Sequence, residues 1–262
     1  IIMKLTEIIN VLENWAPKEH AEDFDNVGLI IGDFESNINK AIITLDTTDD
    51  VIDEAIRNEC NLIITFHPLI FEPLKAINTN GRVQKLIIKA INNNINIYAI
   101  HTNLDNNPKG VNYQICKKLK IENLNFLIPN ELIEGIGMGM FGNLKKSYDE
   151  KSFIDYIKYK MKLSFIRHSK FLNKSVKSVA VLGGSGSFGI EKAIEKKIDC
   201  FITSDLKYHD FFKANEQILL IDIGHYESEK FTKELIFNYL KKKIPKFACI
   251  IAKTNTNPVN YF

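Results

Sequence analysis

Short apolar runs alternate with amphipathic stretches along most of the chain. "KAIITLDTT", "CNLIITFHP" and "INIYAIHTNLDNNPKG" each open on a buried strand and end on polar residues. Between them, "DDVIDEAIRNE" and "GRVQKLIIKAINNN" carry apolar residues at helical spacing. The acids that open the first of these suit the positive end of a helix dipole. Thr6 to Trp15 also reads as a helix, with Thr6 as its N-cap and Trp15 in the core. "AEDFDNVGLIIGD" reads as a loop running into a short strand, and Pro68 stops the strand of "CNLIITFHP".

After a helix that follows Gly110, "LNFLIPNELIEGIGMGMFGNL" reads as an irregular strand-and-turn region, and "DEKSFIDYIKYKMKLS" as a helix. The rhythm then restarts. "KSVAVLGGSG", "IDCFITSD", "ILLIDIGHYESE" and "KFACIIAKTNTNP" are strands, and "GIEKAIEKK", "YHDFFKANEQ" and "KFTKELIFNYLKKK" are helices. This alternation predicts an α/β fold with mainly parallel sheets. The expected layout is an N-terminal lobe over 3–128, a connecting segment over 129–170 and a C-terminal lobe over 171–262.

The two halves resemble each other in the order of their elements, as an internal duplication would. In each, a buried strand delivers a histidine with an acid four residues on: His101 and Asp105, then His225 and Glu229. The preceding strand of each half ends on His67 or Asp205. Open α/β sheets bind ligands beyond the carboxyl ends of their strands, so two facing lobes would share a polar cleft. Imidazoles and carboxylates there are ligands for zinc, iron, manganese, cobalt or nickel. A lone H-x-x-x-E is more often a helix-face ion pair or a solvated loop. The set His67, Asp105, His225 and Glu229 shifts that balance, because every member follows an apolar strand.

Composition narrows the field. The 262 residues are 45% hydrophobic and 25% charged, with a net charge of +2. That is ordinary for a globular protein and gives no field for nucleic acid or a membrane surface. Four separated cysteines form no C-x-x-C pair, and Cys200 and Cys249 sit in apolar runs as small hydrophobes. This favours a reducing, cytoplasmic setting without a thiolate zinc site. No apolar run reaches the ~18 residues of a membrane span, and the first residues lack the features of a secretory signal.

The motifs "DNVGLIIGD", "FHPLIFEPLK", "AIHTNLD", "GGSG", "TSDLKYH", "GHYESE" and "TNTNP", in that order, resemble the NGG-one-interacting factor three-like family, also known as the GTP cyclohydrolase 1 type 2 or dinuclear-metal-centre family. The resemblance covers nearly the whole chain. It implies two similar α/β lobes, a di-metal site in the cleft between them and a toroidal homohexamer. By motif match its metal ligands fall on His67, Asp105, His225 and Glu229. The middle of the chain, roughly residues 130–170, is too short for the domain some members insert, so this is a minimal form. One departure matters: the family's paired histidines before the proline are here Phe66 and His67. Phe66 cannot ligate, which leaves one or two ions open. His101 is a substitute ligand or, more naturally, a group that orients one.

Other residues carry two readings. Asp46 either supports the metal site or caps the following helix. Gly183, Gly184 and Gly186 either cradle a phosphate or make a tight strand–helix turn. Asp205, Lys207, Tyr208 and His209 either start a capped helix or face the cleft. In the second case Lys207 contacts a substrate phosphate and His209 is a general acid or base. Glu227 flanks the metal set and could accept a proton from water. His20 and His168 read as surface residues. The leading expectation is a metal-dependent hydrolase acting on a small molecule, a nucleotide among the candidates. If the family's cyclohydrolase chemistry carries over, the electrophile is C8 of the GTP purine ring. The alternatives are a phosphoesterase on another nucleotide and a non-enzymatic metal-binding or regulatory protein.

Overall fold

The computed structural model describes residues 1–261. It divides into two compact α/β units, Ile1–Leu104 with Thr232–Asn260, and Asp105–Phe231 with Tyr261.

The first unit is built on a five-stranded sheet. Its strands lie in the order Cys249–Ile251, Ala41–Thr44, Leu62–Thr65, Asn96–Ala99, Gly28–Ile31. All neighbours are parallel except the last pair. The three central strands are buried at every position, as expected where both faces are covered. Helices Asp49–Arg57 and Arg82–Asn92 turn Val51, Ile52, Ala55, Leu86, Ile87 and Ala90 into the core with Ile42, Ile63 and Ile97. The first helix is capped by Thr48, whose hydroxyl accepts from Val51 N–H at 3.3 Å. Asp46 is therefore not the cap. Thr6 is not one either: it lies inside the helix Leu5–Glu13, and Glu7 accepts from the Lys4 N–H.

The last strand returns from the end of the chain to pair with Ala41–Thr44. Glu54, only 6% exposed, fastens the segment beyond that strand. Its carboxylate accepts from the N–H groups of Lys253 and Thr254 at 2.8 and 2.9 Å and from the Thr254 hydroxyl at 2.6 Å. Burial works to raise the Glu54 pKa, but these donors outweigh it and hold the group below its ordinary value.

The second unit holds a six-stranded sheet in the order Ile121–Pro129, Gly137–Asp149, Ser175–Ser185, Cys200–Ser204, Leu219–Asp222, Arg167–His168. The strands Ser175–Ser185, Cys200–Ser204 and Leu219–Asp222 are parallel. The strand-and-turn region is an antiparallel pair, Ile121–Pro129 with Gly137–Asp149, whose register shifts between Glu122 and Asn125, and it continues onto Ser175–Ser185 with a second shift between Val176 and Ser178. The segment read as a helix at "YHDFFKANEQ" is a 3-10 helix, Tyr208–Ala214. A three-residue repeat suits it, because it brings Phe211 and Ala214 together onto the core.

The two units share a plan. Each has three parallel strands with helices in the connections, and an antiparallel edge strand from earlier in the chain pairs with the third. All four cysteines are free and buried. Among the described residues, no helix is long and apolar enough to cross a membrane.

Glu54→Ala leaves three donors without their acceptor and should lower the unfolding free energy by about 1–3 kcal/mol in urea titrations. A carboxylate with a depressed folded pKa stabilises above its unfolded pKa, and that contribution is lost as pH falls through the folded value. The difference between variant and wild type should therefore shrink on acidification.

Candidate metal centre

Three histidines at strand ends share one arrangement. His67 follows Leu62–Thr65, and its Nδ1 lies 2.9 Å from Asp46 Oδ1, just past the neighbouring strand. His101 follows Asn96–Ala99, with Nδ1 2.9 Å from Asp25 Oδ1. His225 follows Leu219–Asp222, with Nδ1 2.7 Å from Asp205 Oδ2, again past the neighbouring strand. A carboxylate at Nδ1 favours a proton on that nitrogen and fixes the orientation of the ring, as carboxylates do for metal-ligating histidines.

In the first unit, parallel pairing of Ala41–Thr44 with Leu62–Thr65 brings Asp46 and His67 level. The His67 N–H donates to the Leu45 carbonyl at 2.8 Å. Thr65 Oγ1 lies 2.9 and 3.0 Å from the Leu45 and His67 carbonyls, which stiffens both strand ends. Thr256 donates to the second oxygen of Asp46 at 2.6 Å, giving the "TNTNP" segment a part in orienting that acid. Asp25 is engaged on both oxygens. Oδ2 accepts from the Thr102 N–H at 3.0 Å and the Thr102 hydroxyl at 2.5 Å. Burial would raise the Asp25 pKa, but His101 and Thr102 hold it below the ordinary value. The His67 and His101 rings are 5.2 Å apart, with the fully buried Phe66 ring 5.1 and 5.2 Å from them.

In the second unit, His225–Glu229 forms a single helical turn. The i, i+4 spacing places Glu229 Oε2 3.2 Å from His225 Nε2. That imidazole lies between two carboxylates. Burial opposes its charge, but Asp205 and Glu229 outweigh burial and push the pKa up to about 11. Two acids around one imidazole favour a cation, whether a proton or a metal ion. Glu229 is 3% exposed. Asp105, at the start of this unit, is also buried, and its carbonyl accepts from Asn112 Nδ2 at 3.3 Å.

The glycine loop explains why the Glu229 carboxylate fits. Gly184 adopts φ +68°, its N–H donates to Ser228 Oγ at 3.0 Å, and a Cβ there would lie 2.5 Å from Glu229 Oε1. The loop turns the strand Ser175–Ser185 into the 3-10 turn Ser187–Gly189 and the helix Ile190–Glu195, as the tight-turn reading has it, and its glycine also makes room for an acid. Asp222 organises the neighbouring turns. It accepts from Leu206 N–H and Gly224 N–H, both at 3.0 Å, and pairs with Arg167. Asp205 itself sits at φ +56°, a left-handed conformation that aspartate tolerates.

The remaining candidates stand apart from these pairs. Lys207 N–H donates to Asp210 at 2.9 Å and caps the 3-10 helix. His209 is exposed, its ring against Tyr208 and Phe212. Glu227 packs over Gly224, where a Cβ would meet its Oε2 at 2.3 Å. A further acidic group, Asp49, Asp50 and Asp53, brings ligand atoms within 4.8 Å. Lys89 bridges two of these acids at 2.8 Å each, which accounts for them as a helix-surface ion pair. Sequence reasoning missed Asp25, Thr102, Thr256 and Ser228. All four lay within recognised motifs, but the long-range partners they meet are not encoded by local spacing.

Comparison with known proteins places this geometry in context. The sequence model of Duf34/NIF3 (NGG1p interacting factor 3) matches residues 3–258. A Clostridium acetobutylicum protein named GTP cyclohydrolase 1 type 2 homolog is 38% identical over 229 residues, 87% of this chain and 85% of its own. A Campylobacter jejuni protein of the same name is 32% identical and covers 99% of this chain and 100% of its own. The alignment with a Staphylococcus epidermidis relative runs over 367 positions against 262 residues here, consistent with a minimal form. A crystal structure of a Staphylococcus aureus hypothetical protein superposes with TM-score 0.91 at 29% identity, over 99% of each chain. Reduced HcgD from Methanocaldococcus jannaschii superposes with TM-score 0.83 at 28% identity, over 97% of this chain and 99% of that one.

Gly184→Ala should destabilise the protein by more than the roughly 1–2 kcal/mol of the left-handed backbone alone, because Glu229 has to move. Adding Glu229→Ala should recover the excess. A double-mutant cycle in urea measures it, and simple additivity would refute the steric coupling.

Proposed function

This chain belongs to the Duf34/NIF3 family, and from that premise we propose that it is a metal-dependent hydrolase-like protein. The carrying observation is the repeated Nδ1–carboxylate pairing of His67, His101 and His225, which fixes the orientation of each imidazole at its strand end. The donor set fits a divalent ion of the zinc, iron, manganese, cobalt or nickel type: imidazole nitrogens oriented by acids, and buried carboxylates at Asp105 and Glu229. We assign the ligands as His67, Asp105, His225 and Glu229. When bound, such an ion acidifies water toward a pKa of ~7 and so supplies hydroxide at neutral pH.

The chain's own groups then have distinct tasks. Asp46 and Asp205 hold the imidazoles of His67 and His225 in one orientation. Thr256 fixes Asp46 in turn. Gly184 lets Glu229 approach. Glu227, on the same helical turn as His225 and Glu229, is the group we assign to accept a proton from water. Lys207 and His209, exposed after the strand Cys200–Ser204, are assigned to the substrate, the first to a phosphate and the second to proton transfer. The relatives' name supports a nucleotide substrate, with GTP the first compound to test.

Phe66 bears on how many ions are held. It is fully buried against both His67 and His101 and supplies no donor. His101 carries the same carboxylate support as His67 and His225, which favours it as a substitute ligand over the orienting role.

Elemental analysis of purified protein should find about one tightly held ion per chain, rising toward two in Phe66→His. Equal metal content in both would remove the role given to Phe66. Metal-loaded wild type should turn over GTP above a His225→Ala control. Stable metal binding without turnover of GTP or of a panel of phosphate esters would favour the non-enzymatic reading.

A further inference from the structure

Two large aromatic side chains stand out of the first unit beside His101. Phe24 is 64% exposed and Phe71 51% exposed, and their centroids lie 6.2 Å apart at 55°. Phe71 is 6.4 Å from the His101 ring in an edge-on arrangement at 72°. His101 in turn lies 5.2 Å from His67. A continuous set of rings thus leads from the imidazoles to solvent.

Neither phenylalanine sits on a loose loop. Phe24 is held between fastened neighbours. The Glu22 N–H donates to Thr102 Oγ1 at 2.9 Å, Asp25 is locked onto His101 and Thr102, and Asn26 Nδ2 donates to the Ile70 carbonyl at 2.7 Å. That last bond ties the Phe24 loop to the residue preceding Phe71. Leu69 is buried in the core and Ile70 packs against it, which anchors the second loop. Two exposed rings carried on fastened backbone, at an angle to each other, present one face and one edge to a third ring.

We infer that Phe24 and Phe71 form a recognition platform for a planar heteroaromatic ring, a nucleobase in chemical class, seated beside His101. This rests on the proposed function and deepens it by identifying the part of the substrate that this unit grips. A base satisfies the site in two ways that an aliphatic group does not. Its π-face stacks on one phenyl ring, and its polarised edge meets the other and the imidazole. The rigid loops mean that little ordering entropy is lost on binding.

The test is calorimetric titration with guanosine, adenosine and ribose 5-phosphate, on metal-free and zinc-loaded protein. The nucleosides should bind and ribose 5-phosphate should bind more weakly. Phe24→Ala and Phe71→Ala should each raise the nucleoside Kd roughly ten- to hundredfold, with thermal stability and metal content unchanged. Phe71→Trp should keep the affinity, separating a stacking role from a merely structural one. Wild-type nucleoside affinity no better than that of ribose 5-phosphate would overturn the inference. So would alanine variants that bind like wild type, or variants whose only change is a different oligomeric state by light scattering. Because base binding and metal content are read separately, failure of the platform is distinct from failure of the metal assignment.

Discussion

An imidazole tethered through Nδ1 to a carboxylate at the end of a strand is the unit on which the site depends. It occurs three times, at His67, His101 and His225. For His67 and His225 the acid comes from the end of the adjacent parallel strand. Parallel pairing brings neighbouring strands to the same edge, so a residue just past one strand meets a residue just past the next. The sheet supplies the register, and the polar pair supplies orientation. For His101 the acid arrives on the loop before an antiparallel edge strand, so the same result is reached by a different path.

These pairs need supports that have no chemistry of their own. Thr65 and Ser204 bind carbonyls of the strand-end turns, Thr102 saturates Asp25, and Asp222 collects two backbone N–H groups and Arg167. Gly184 contributes by lacking a side chain, since any Cβ there would occupy the space of the Glu229 carboxylate. Buried carboxylates are costly unless each is bonded or shares a cation. The arrangement around His225, with an acid on each side, meets that requirement and at the same time defines a place for positive charge.

Phe66 is a local change with a definite physical content. Where the family resemblance expects a second imidazole, the chain has a buried hydrocarbon ring that packs against His67 and His101. The volume is kept and the donor is lost. Packing and chemistry are thereby separated at one position: the first is satisfied by a phenyl ring, the second needs a donor atom that phenylalanine lacks.

Much of this was written in the sequence. Apolar runs this short, bounded by turn residues, suit strands covered on both faces, and their alternation with amphipathic segments leaves a parallel α/β sheet as the economical arrangement. Polar residues immediately after those runs must emerge at the strand ends, which is why His67, His101 and His225 were legible as candidates. The partners were not. That Asp46 meets His67 while Thr48 caps the helix, that Asp25 and Thr256 belong to the site, and that Gly184 serves Glu229, all depend on backbone paths that converge across long sequence separations. The last strand is the clearest case. Nothing in "CII" says that it pairs with Ala41–Thr44, because a short apolar run fits any open sheet edge equally well. Periodicity is a local property and decides what a segment is; which segment it meets is decided by the free energy of the whole packed core.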